Sequence, residues 1–368
     1  SELLDNQGIY QSLYKNKFED SPKEKSKVSK TNQLYIPEFE DEYNSSLVID
    51  SWYKKSLWLY LLLPFSLIFS YLTNRRRRKF MKSKKLSYKS SIPLIVVGNL
   101  TIGGTGKTPL VAYIASELLK KGYKPGLVSR GYGGKFRETL NVTNETPVKQ
   151  TGDEAQILSK LNLPFYLDRN RVRAIKTLEE NHDCDVILSD DGLQHYNMNR
   201  DIEIVVIDGK RRFGNNLTFP AGPLRETIAR LNSVDFIVNN SGPTQENEFL
   251  MNVSPAKFVH LKSGKSYPVE KWPMHKQVHA VAGLGNPGRY FDLLARLGFD
   301  IIRHPFPDHH NFDESDIFYL DHLPIIMTEK DASKCRSFNN NKIWYLTIEA
   351  DVSDKFIEEL DTKLKNIN

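Results

Sequence analysis

Cysteine is scarce in this chain of 368 residues, which has only Cys184 and Cys335, far apart in the sequence. Two isolated cysteines exclude a disulfide framework and match no metal-ligand spacing, so the sequence indicates a reducing compartment. With 39% hydrophobic and 26% charged residues, the remaining composition is that of a globular protein. The length allows a large core and about two domains.

Long apolar runs are also few, and charge is unevenly spread. Residues 56–72 carry no charge and are followed, after Thr73 and Asn74, by the basic block RRRRKFMKSKK. A spanning helix needs about 20 apolar residues, so this run lies near the lower limit. Basic residues beside an apolar helix favour the cytoplasmic side and contact anionic lipid. We therefore predict a membrane anchor over residues 48–90, with its basic flank on the cytoplasmic surface.

Two other interpretations of this region are a buried core helix and a nucleic-acid site. The second is disfavoured because no aromatic residues are spaced along the basic block to stack on bases. Ahead of the anchor, residues 1–50 are acidic on balance, and residues 21–31 are polar with almost nothing to bury. We expect residues 21–31 to be disordered.

From residue 92 onward, short apolar runs alternate with segments of helical spacing. The runs IPLIVVGNL, CDVILSDDG and IEIVVIDG are typical of buried parallel strands. This alternation predicts a doubly wound α/β sheet, in which ligands bind at the carboxyl ends of the strands. We predict five parts: an extension at residues 1–47, an anchor at 48–90, a larger α/β core at 91–245, linker strands at 246–275 and a smaller C-terminal α/β domain at 276–368.

A glycine-rich loop follows the first of these strands, in the segment VGNLTIGGTGKTP at residues 97–109. It differs from G-x-x-x-x-G-K-S/T only in having Thr101 in the first position. Between a strand and a helix, such a loop binds phosphate through backbone N–H groups, with Lys107 directed to the β- and γ-phosphates and Thr108 to Mg²⁺. The sequence thus predicts a P-loop NTPase-type core. Its candidate nucleotide-binding residues are Asn99, Thr101, Gly103, Gly104, Thr105, Gly106, Lys107 and Thr108.

A phosphate loop needs an acidic metal ligand from a neighbouring strand. Asp190 and Asp191, in VILSDDGLQH, stand at a strand end. Adjacent carboxylates repel each other unless a cation lies nearby, which makes both candidate Mg²⁺ ligands. The alternative is a capped turn.

Eight motifs occur in an order that closely resembles the tetraacyldisaccharide 4′-kinase family of lipid A biosynthesis: VGNLTIGGTGKTP, GLVSRGYGG, GDEA, SDDGLQH, PAGPLRE, GLGNPGRYF, FPDHHNF and TEKDASK. The resemblance extends from about residue 48 to the C-terminus. It implies transfer of the ATP γ-phosphoryl group to the 4′-hydroxyl of a tetraacylated glucosamine disaccharide 1-phosphate, which gives lipid IVA. Because that acceptor lies in the bacterial inner membrane, the resemblance also accounts for the apolar helix. It implies ATP and Mg²⁺ as cofactors.

The resemblance assigns Asp153 as the general base and His309 as its dyad partner. The sequence does not decide between His309 and His310, and for either one a surface or packing role is the alternative. Arg225 offers a planar donor for phosphate oxygens, and Glu226 is a candidate Mg²⁺ ligand, directly or through water. The alternative for this pair is a surface ion pair.

Other motif residues have less defined roles. Arg130 is a candidate for contact with the acceptor, and Gln194 and His195 are expected to line the site. GLGNPGRYF lacks the third-glycine spacing of a dinucleotide fingerprint and is interpreted as a strand-to-helix turn. TEKDASK follows an apolar strand and is expected to position the C-terminal domain over ATP.

Residues 1–20 resemble the extreme C-terminus of an ABC lipid A exporter, with a similar E-L-L-x-x-x-G-x-Y-x-x-L pattern. This predicts a fusion or a genomic association with such an exporter; a nondescript amphipathic tail is the alternative. Two rival functions remain, another membrane-associated P-loop NTPase and a nucleotide-binding scaffold. The absence of an N-K-x-D guanine-reading motif disfavours a GTPase.

Overall fold

A computed structural model describes residues 47–54, 56–83, 86–284, 287–307 and 310–367. The predicted disorder of residues 21–31 and the exporter-like pattern of residues 1–20 lie outside the described residues, as does His309.

The strands of the described residues are β1 Tyr88–Lys89, β2 Leu94–Gly98, β3 Pro125–Ser129, β4 Leu140–Asn141, β5 Phe165–Leu167, β6 Val186–Asp190, β7 Met198–Asn199, β8 Ile202–Asp208, β9 Phe236–Asn240, β10 Glu248–His260, β11 Ser266–Pro268, β12 Gln277–Ala282, β13 Asp300–Pro305, β14 Ile325–Thr328 and β15 Ile343–Val352. The α-helices are α1 Leu47–Tyr53, α2 Leu63–Lys82, α3 Lys107–Lys120, α4 Val148–Thr151, α5 Asp153–Leu158, α6 Arg171–Asn181, α7 Gly288–Arg296, α8 Glu329–Lys334 and α9 Asp354–Lys365.

The first half of the main sheet is parallel, with strands in the spatial order β5, β3, β6, β2, β8 and β9. All residues of β2, β3, β6 and β8 are buried, as expected where helices cover both faces of a parallel sheet. β6 lies directly beside β2, and Val97 is in register with Asp190. The acidic strand end is therefore next to the start of the glycine-rich loop. The predicted α/β sheet is confirmed.

The same sheet continues into the C-terminal half through β10. This strand of 13 residues pairs in parallel with β9 and antiparallel with β15. A register shift between Pro255 and Phe258 interrupts the regular pairing of β10 with β15. Beyond β15 the order is β14, β12 and β13, all parallel.

The C-terminal half contributes to more than one core. Residues of α7, β12 and β14 pack around Trp272, Phe291 and Trp344. Helix α9, by contrast, joins the core of the first half, where Phe356 contacts the rings of Phe236 and Phe249. The domain boundaries given above stay a prediction.

The apolar N-terminal segment forms a 3-10 helix, Leu57–Leu62, followed by α2. Together they span 26 residues, the one stretch in the described part of the chain long and apolar enough to cross a membrane. Only 11% of its most apolar window is buried, which argues against the core-helix alternative. The side chain of Ser66 is buried, donates to the carbonyl of Thr218 at 2.8 Å and accepts from the amide of Ala221 at 2.9 Å. One face of α2 therefore lies on the PAGPLRE segment.

Candidate active site

The glycine-rich loop connects β2 to α3 and leaves an open space at its centre. Gly106 precedes α3 with a φ of 95°, and a Cβ there would approach the Asn240 side chain to 2.5 Å. A Cβ at Gly103 or Gly104, in contrast, would meet nothing within 4 Å. The backbone of the loop therefore requires glycine at 106 and also at 103, where φ is 107°, and Gly103 and Gly104 border a space into which phosphate oxygens fit.

Buried polar contacts fix the shape of this loop. Asn99 is fully buried, and its amide nitrogen donates to the carbonyls of Thr101 at 2.8 Å and Gly103 at 3.3 Å. Thr101 also forms an isolated antiparallel bridge with Leu224. Thr101 is accommodated in the first motif position, where the usual motif has glycine, because the side-chain amide of Asn99 stabilises the bend of the loop there. The side-chain oxygen of Thr105 is buried without a hydrogen-bond partner in the described residues.

Lys107 begins α3 and contacts the acidic strand end. Its Nζ lies 3.6 Å from Oδ1 of Asp191 and 3.4 Å from Oδ1 of Asn99. Arg225 donates to the same Asp191 oxygen at 3.2 Å. Burial alone would raise the pKa of Asp191, but Lys107 and Arg225 outweigh it and hold that pKa below its usual value. Asp191 is therefore an anion between two cations suited to phosphate.

Asp190 is in a different environment although it is the adjacent residue. It is 5% exposed, and its Oδ1 has no hydrogen-bond partner among the described residues. Burial raises the pKa of Asp190 to about 7, an effect that Lys107 opposes and Asp191 strengthens. An unpartnered carboxylate oxygen beside a phosphate loop is the arrangement that a divalent cation stabilises.

Glu226 is held by protein groups. The Tyr196 hydroxyl and the Gln194 amide donate to its two oxygens, the latter at 3.0 Å, and Arg230 Nε lies 3.6 Å away. The ring of Phe80, from α2, lies beside that of Tyr196 in a tilted arrangement, with the centroids 6.4 Å apart. Contacts thus run from the apolar helix to the carboxylate beside Arg225.

Asp153 begins α5 and faces the C-terminal half. Its Oδ2 lies 3.7 Å from Nζ of Lys330 and 3.6 Å from Nζ of Lys334. Both lysines belong to the TEKDASK motif, so the structure brings the motif to the predicted base. His310, the other candidate histidine, pairs with Asp316 at 2.9 Å.

These observations place the glycine-rich loop, the acidic strand end and the PAGPLRE segment together. A model of the tetraacyldisaccharide-1-P 4′-kinase family matches residues 58–365. The chain belongs to this family. The resemblance inferred from the eight motifs is thereby confirmed.

Several relatives are similar over nearly their whole length. The tetraacyldisaccharide 4′-kinase of Ruthia magnifica is 46% identical over 312 residues, which are 83% of this chain and 97% of the relative. That of Shewanella denitrificans is 42% identical, over 85% of this chain and 95% of the relative. A crystal structure of LpxK from Aquifex aeolicus in complex with ATP is 26% identical, with a TM-score of 0.73, and covers 84% of this chain and 99% of its own.

Two arginines that the motifs did not indicate also lie at this candidate site. Arg171, fully buried at the start of α6, donates to the carbonyls of Asp168 at 3.2 Å and Asp190 at 2.9 Å. Arg211 donates to the carbonyl of Gly104 at 2.8 Å. Each follows the carboxyl end of a parallel strand, and that position was the available signal.

His195 is close to these groups and stays neutral at physiological pH. Burial, with help from the nearby Arg171 and Arg130, lowers its pKa to about 4. A neutral imidazole can donate or accept a hydrogen bond without adding charge to the site.

The raised pKa of Asp190 predicts a pH-dependent stability. Because the folded state holds this proton more tightly than the unfolded state, its contribution is complete below the unfolded value near 3.8 and is lost as the pH rises through about 7. In nucleotide-free protein, Asp190→Asn should therefore raise Tm at pH 8 by roughly 2–4 °C, and by less at pH 5, where only part of the contribution has been lost. Thermal unfolding of both proteins at the two pH values measures this. A larger difference at pH 5 than at pH 8 would contradict the assignment.

Proposed function

We propose that this kinase transfers the γ-phosphoryl group of ATP to the 4′-hydroxyl of a tetraacylated glucosamine disaccharide 1-phosphate held at the membrane surface. The observation that carries the proposal is the juxtaposition of an open glycine-rich loop with Lys107, Asp190 and Asp191 at neighbouring strand ends. The family membership supplies the acceptor class.

The nucleotide phosphates would lie over Gly103 and Gly104, against the N-terminus of α3. Lys107 would exchange its contact with Asp191 for the β- and γ-phosphates, and Arg225 would stabilise the charge on the transferred group. Asp191, kept ionised by both cations, would hold them in place before the nucleotide binds.

A magnesium ion fits the donor set. Mg²⁺ takes one or two carboxylates together with water and phosphate oxygens, so no three-carboxylate cluster is required. The described residues contain no group of three or more His, Cys, Asp or Glu side chains arranged for a metal. Asp190 and Thr108 would hold the ion, with Asp191 nearby, and Glu226 would act through water because its oxygens already accept from Tyr196 and Gln194. When bound, Mg²⁺ neutralises charge on the phosphates.

Asp153 would act as the general base. Its carboxylate takes the proton of the 4′-hydroxyl, the alkoxide oxygen forms a bond to the γ-phosphorus, and the bond to the β–γ bridging oxygen breaks, which releases ADP. His309 would hydrogen-bond to Asp153 as the second member of a dyad. This part rests on the family resemblance, since His309 lies outside the described residues.

The apolar segment would place the enzyme on the cytoplasmic face of the bacterial inner membrane. Leu61, Phe65, Leu67 and Tyr71 are each more than half exposed, whereas Ser66 is held by the protein. A helix with one face on the protein and the other in contact with lipid lies in the interface, and the arginines after it contact anionic headgroups. An association with a lipid A exporter is a further prediction from residues 1–20.

The exposed leucines allow a test that leaves the contacts of Ser66 intact. Replacing Leu61 and Leu67, which are 78% and 69% exposed, with Gln should move much of the protein from the membrane to the soluble fraction. Each substitution removes the free energy of burying one leucine side chain in lipid, which is roughly 1.5–3 kcal/mol. Sedimentation with anionic vesicles measures the partitioning. Leu320→Gln, at an 86% exposed leucine outside this segment, is the matched control; equal partitioning of all variants would contradict the proposal.

The activity itself is tested with labelled ATP, Mg²⁺ and tetraacyldisaccharide 1-phosphate in detergent. Label should appear in the lipid with the wild-type protein and not with an acceptor already phosphorylated at the 4′ position. Two rivals give different results. A nucleotide-binding scaffold leaves the lipid unlabelled while binding ATP, and another P-loop NTPase releases phosphate without an effect of the acceptor.

A further inference from the structure

Two lysines of the short helix α8 reach the base proposed above from the other half of the chain. Lys330 and Lys334 are one helical turn apart, and both approach the same oxygen, Oδ2, of Asp153. The side chains of Asp153 and Lys334 are each only 10% exposed. A charge pair this far from solvent constrains its partners more than a surface pair does.

Lys334 is itself held from two other directions. Its Nζ donates to the carbonyl of His310 at 3.1 Å and lies 3.7 Å from Oδ1 of Asp331. Asp331 is fully buried, and its Oδ2 accepts from the Gly283 amide at 2.9 Å and the Thr328 hydroxyl at 2.7 Å. The ammonium group of Lys334 is thus held in place by the His310 carbonyl and by Asp331, which is itself bound to the ends of β12 and β14.

Resting on the function proposed above, we propose that Lys334, supported by Lys330, is a positioning residue for phosphoryl transfer. It fixes the rotation of the Asp153 carboxylate so that this group meets the acceptor hydroxyl in a productive direction. Lys334 itself takes no proton. Because a misplacement of about 1 Å can cost 10²-fold in rate, losing this support should lower kcat far more than it changes nucleotide affinity.

The test compares Lys334→Met, Lys334→Arg and Lys330→Met. Lys334→Met should lower kcat by about tenfold or more and leave the Kd for ATP within about twofold, since the lysine acts on the base and not on the nucleotide. Lys334→Arg, which keeps the cation, should recover most of kcat. Lys330→Met, which leaves the Lys334–Asp331 pair intact, should show a smaller loss in the same direction. ATP binding and thermal unfolding verify that each variant is folded.

Lys355→Met is the matched control, because Lys355 pairs with Glu359 at the same 3.6 Å separation but is 77% exposed. A Lys334→Met protein with the kcat of this control would overturn the proposal. An increased Kd for ATP with unchanged kcat would do the same, by placing the lysine on the nucleotide.

The Asp153→Asn background separates this proposal from the function on which it rests. There, Lys334→Met should have no further effect on kcat, because residues that act as one unit are non-additive. A full additional loss would show that Lys334 acts elsewhere. If Asp153→Asn alone kept the wild-type kcat, the assignment of the base would fail first, whatever Lys334 does.

Discussion

Replacing Asp153 with alanine is expected to lower kcat by about 10²–10⁴-fold, the usual contribution of a positioned general base. The Kd for ATP should stay nearly unchanged, because this carboxylate lies against Lys330 and Lys334 of the C-terminal half. Steady-state kinetics with a saturating acceptor, and equilibrium binding of ATP, measure the two quantities separately. Asp153→Asn, which keeps the shape of the side chain but accepts no proton, should behave like Asp153→Ala.

The matched control for this pair of variants is Asp183→Ala. Asp183 also pairs with a lysine, Lys124, but its side chain is 92% exposed. Its loss should leave kcat within about twofold, as for most exposed ion pairs. An increased Kd for ATP in Asp153→Ala would instead indicate that this carboxylate binds the metal ion.

Replacing Lys107 with methionine is expected to damage both binding and chemistry. A lysine that contacts the phosphates in the ground state and in the transition state should contribute about 10–100-fold to ATP affinity and about 10²–10³-fold to kcat. The fold should persist, because Asp191 keeps Arg225 at 3.2 Å as a partner. Isothermal titration with ATP and single-turnover kinetics measure the two losses.

Lys120→Met is the control for this variant. Lys120 ends the same helix, is 70% exposed and pairs with Glu117. Wild-type affinity and rate are expected there. If Lys107→Met lost kcat alone and kept its affinity for ATP, Lys107 would act only in the transition state, and the predicted ground-state contact would be wrong.

Much of the candidate nucleotide site could be predicted from the sequence because its signals are local. A buried strand, the glycines at 103, 104 and 106, and Lys107 at the start of a helix occupy a single short segment. The strand that ends at Asp190 could likewise be predicted from its apolar run. Because ligands bind at the carboxyl ends of parallel strands, the glycine-rich loop and Asp190 were expected at the same edge of the sheet. The register of Val97 with Asp190 agrees with this expectation.

The rest of the site depends on contacts between residues far apart in the chain. No periodicity shows that Lys334 lies 3.6 Å from Asp153, or that Arg171 is buried beneath the carbonyl of Asp190. The continuation of the sheet through β10 could not be predicted for the same reason, because β10 pairs with β15, more than eighty residues later in the chain. Charged residues are read as exposed by default, and only tertiary structure reveals which of them are buried and paired.

We propose that Asp153 removes the acceptor proton in a site where ATP is already bound. Rapid-quench single-turnover kinetics test it most directly, with enzyme in excess over labelled ATP and with saturating acceptor lipid. Asp153→Ala should bind the labelled ATP fully and transfer the label to lipid about 10²–10⁴-fold more slowly than the wild type. Transfer at the wild-type rate in that single turnover would contradict it.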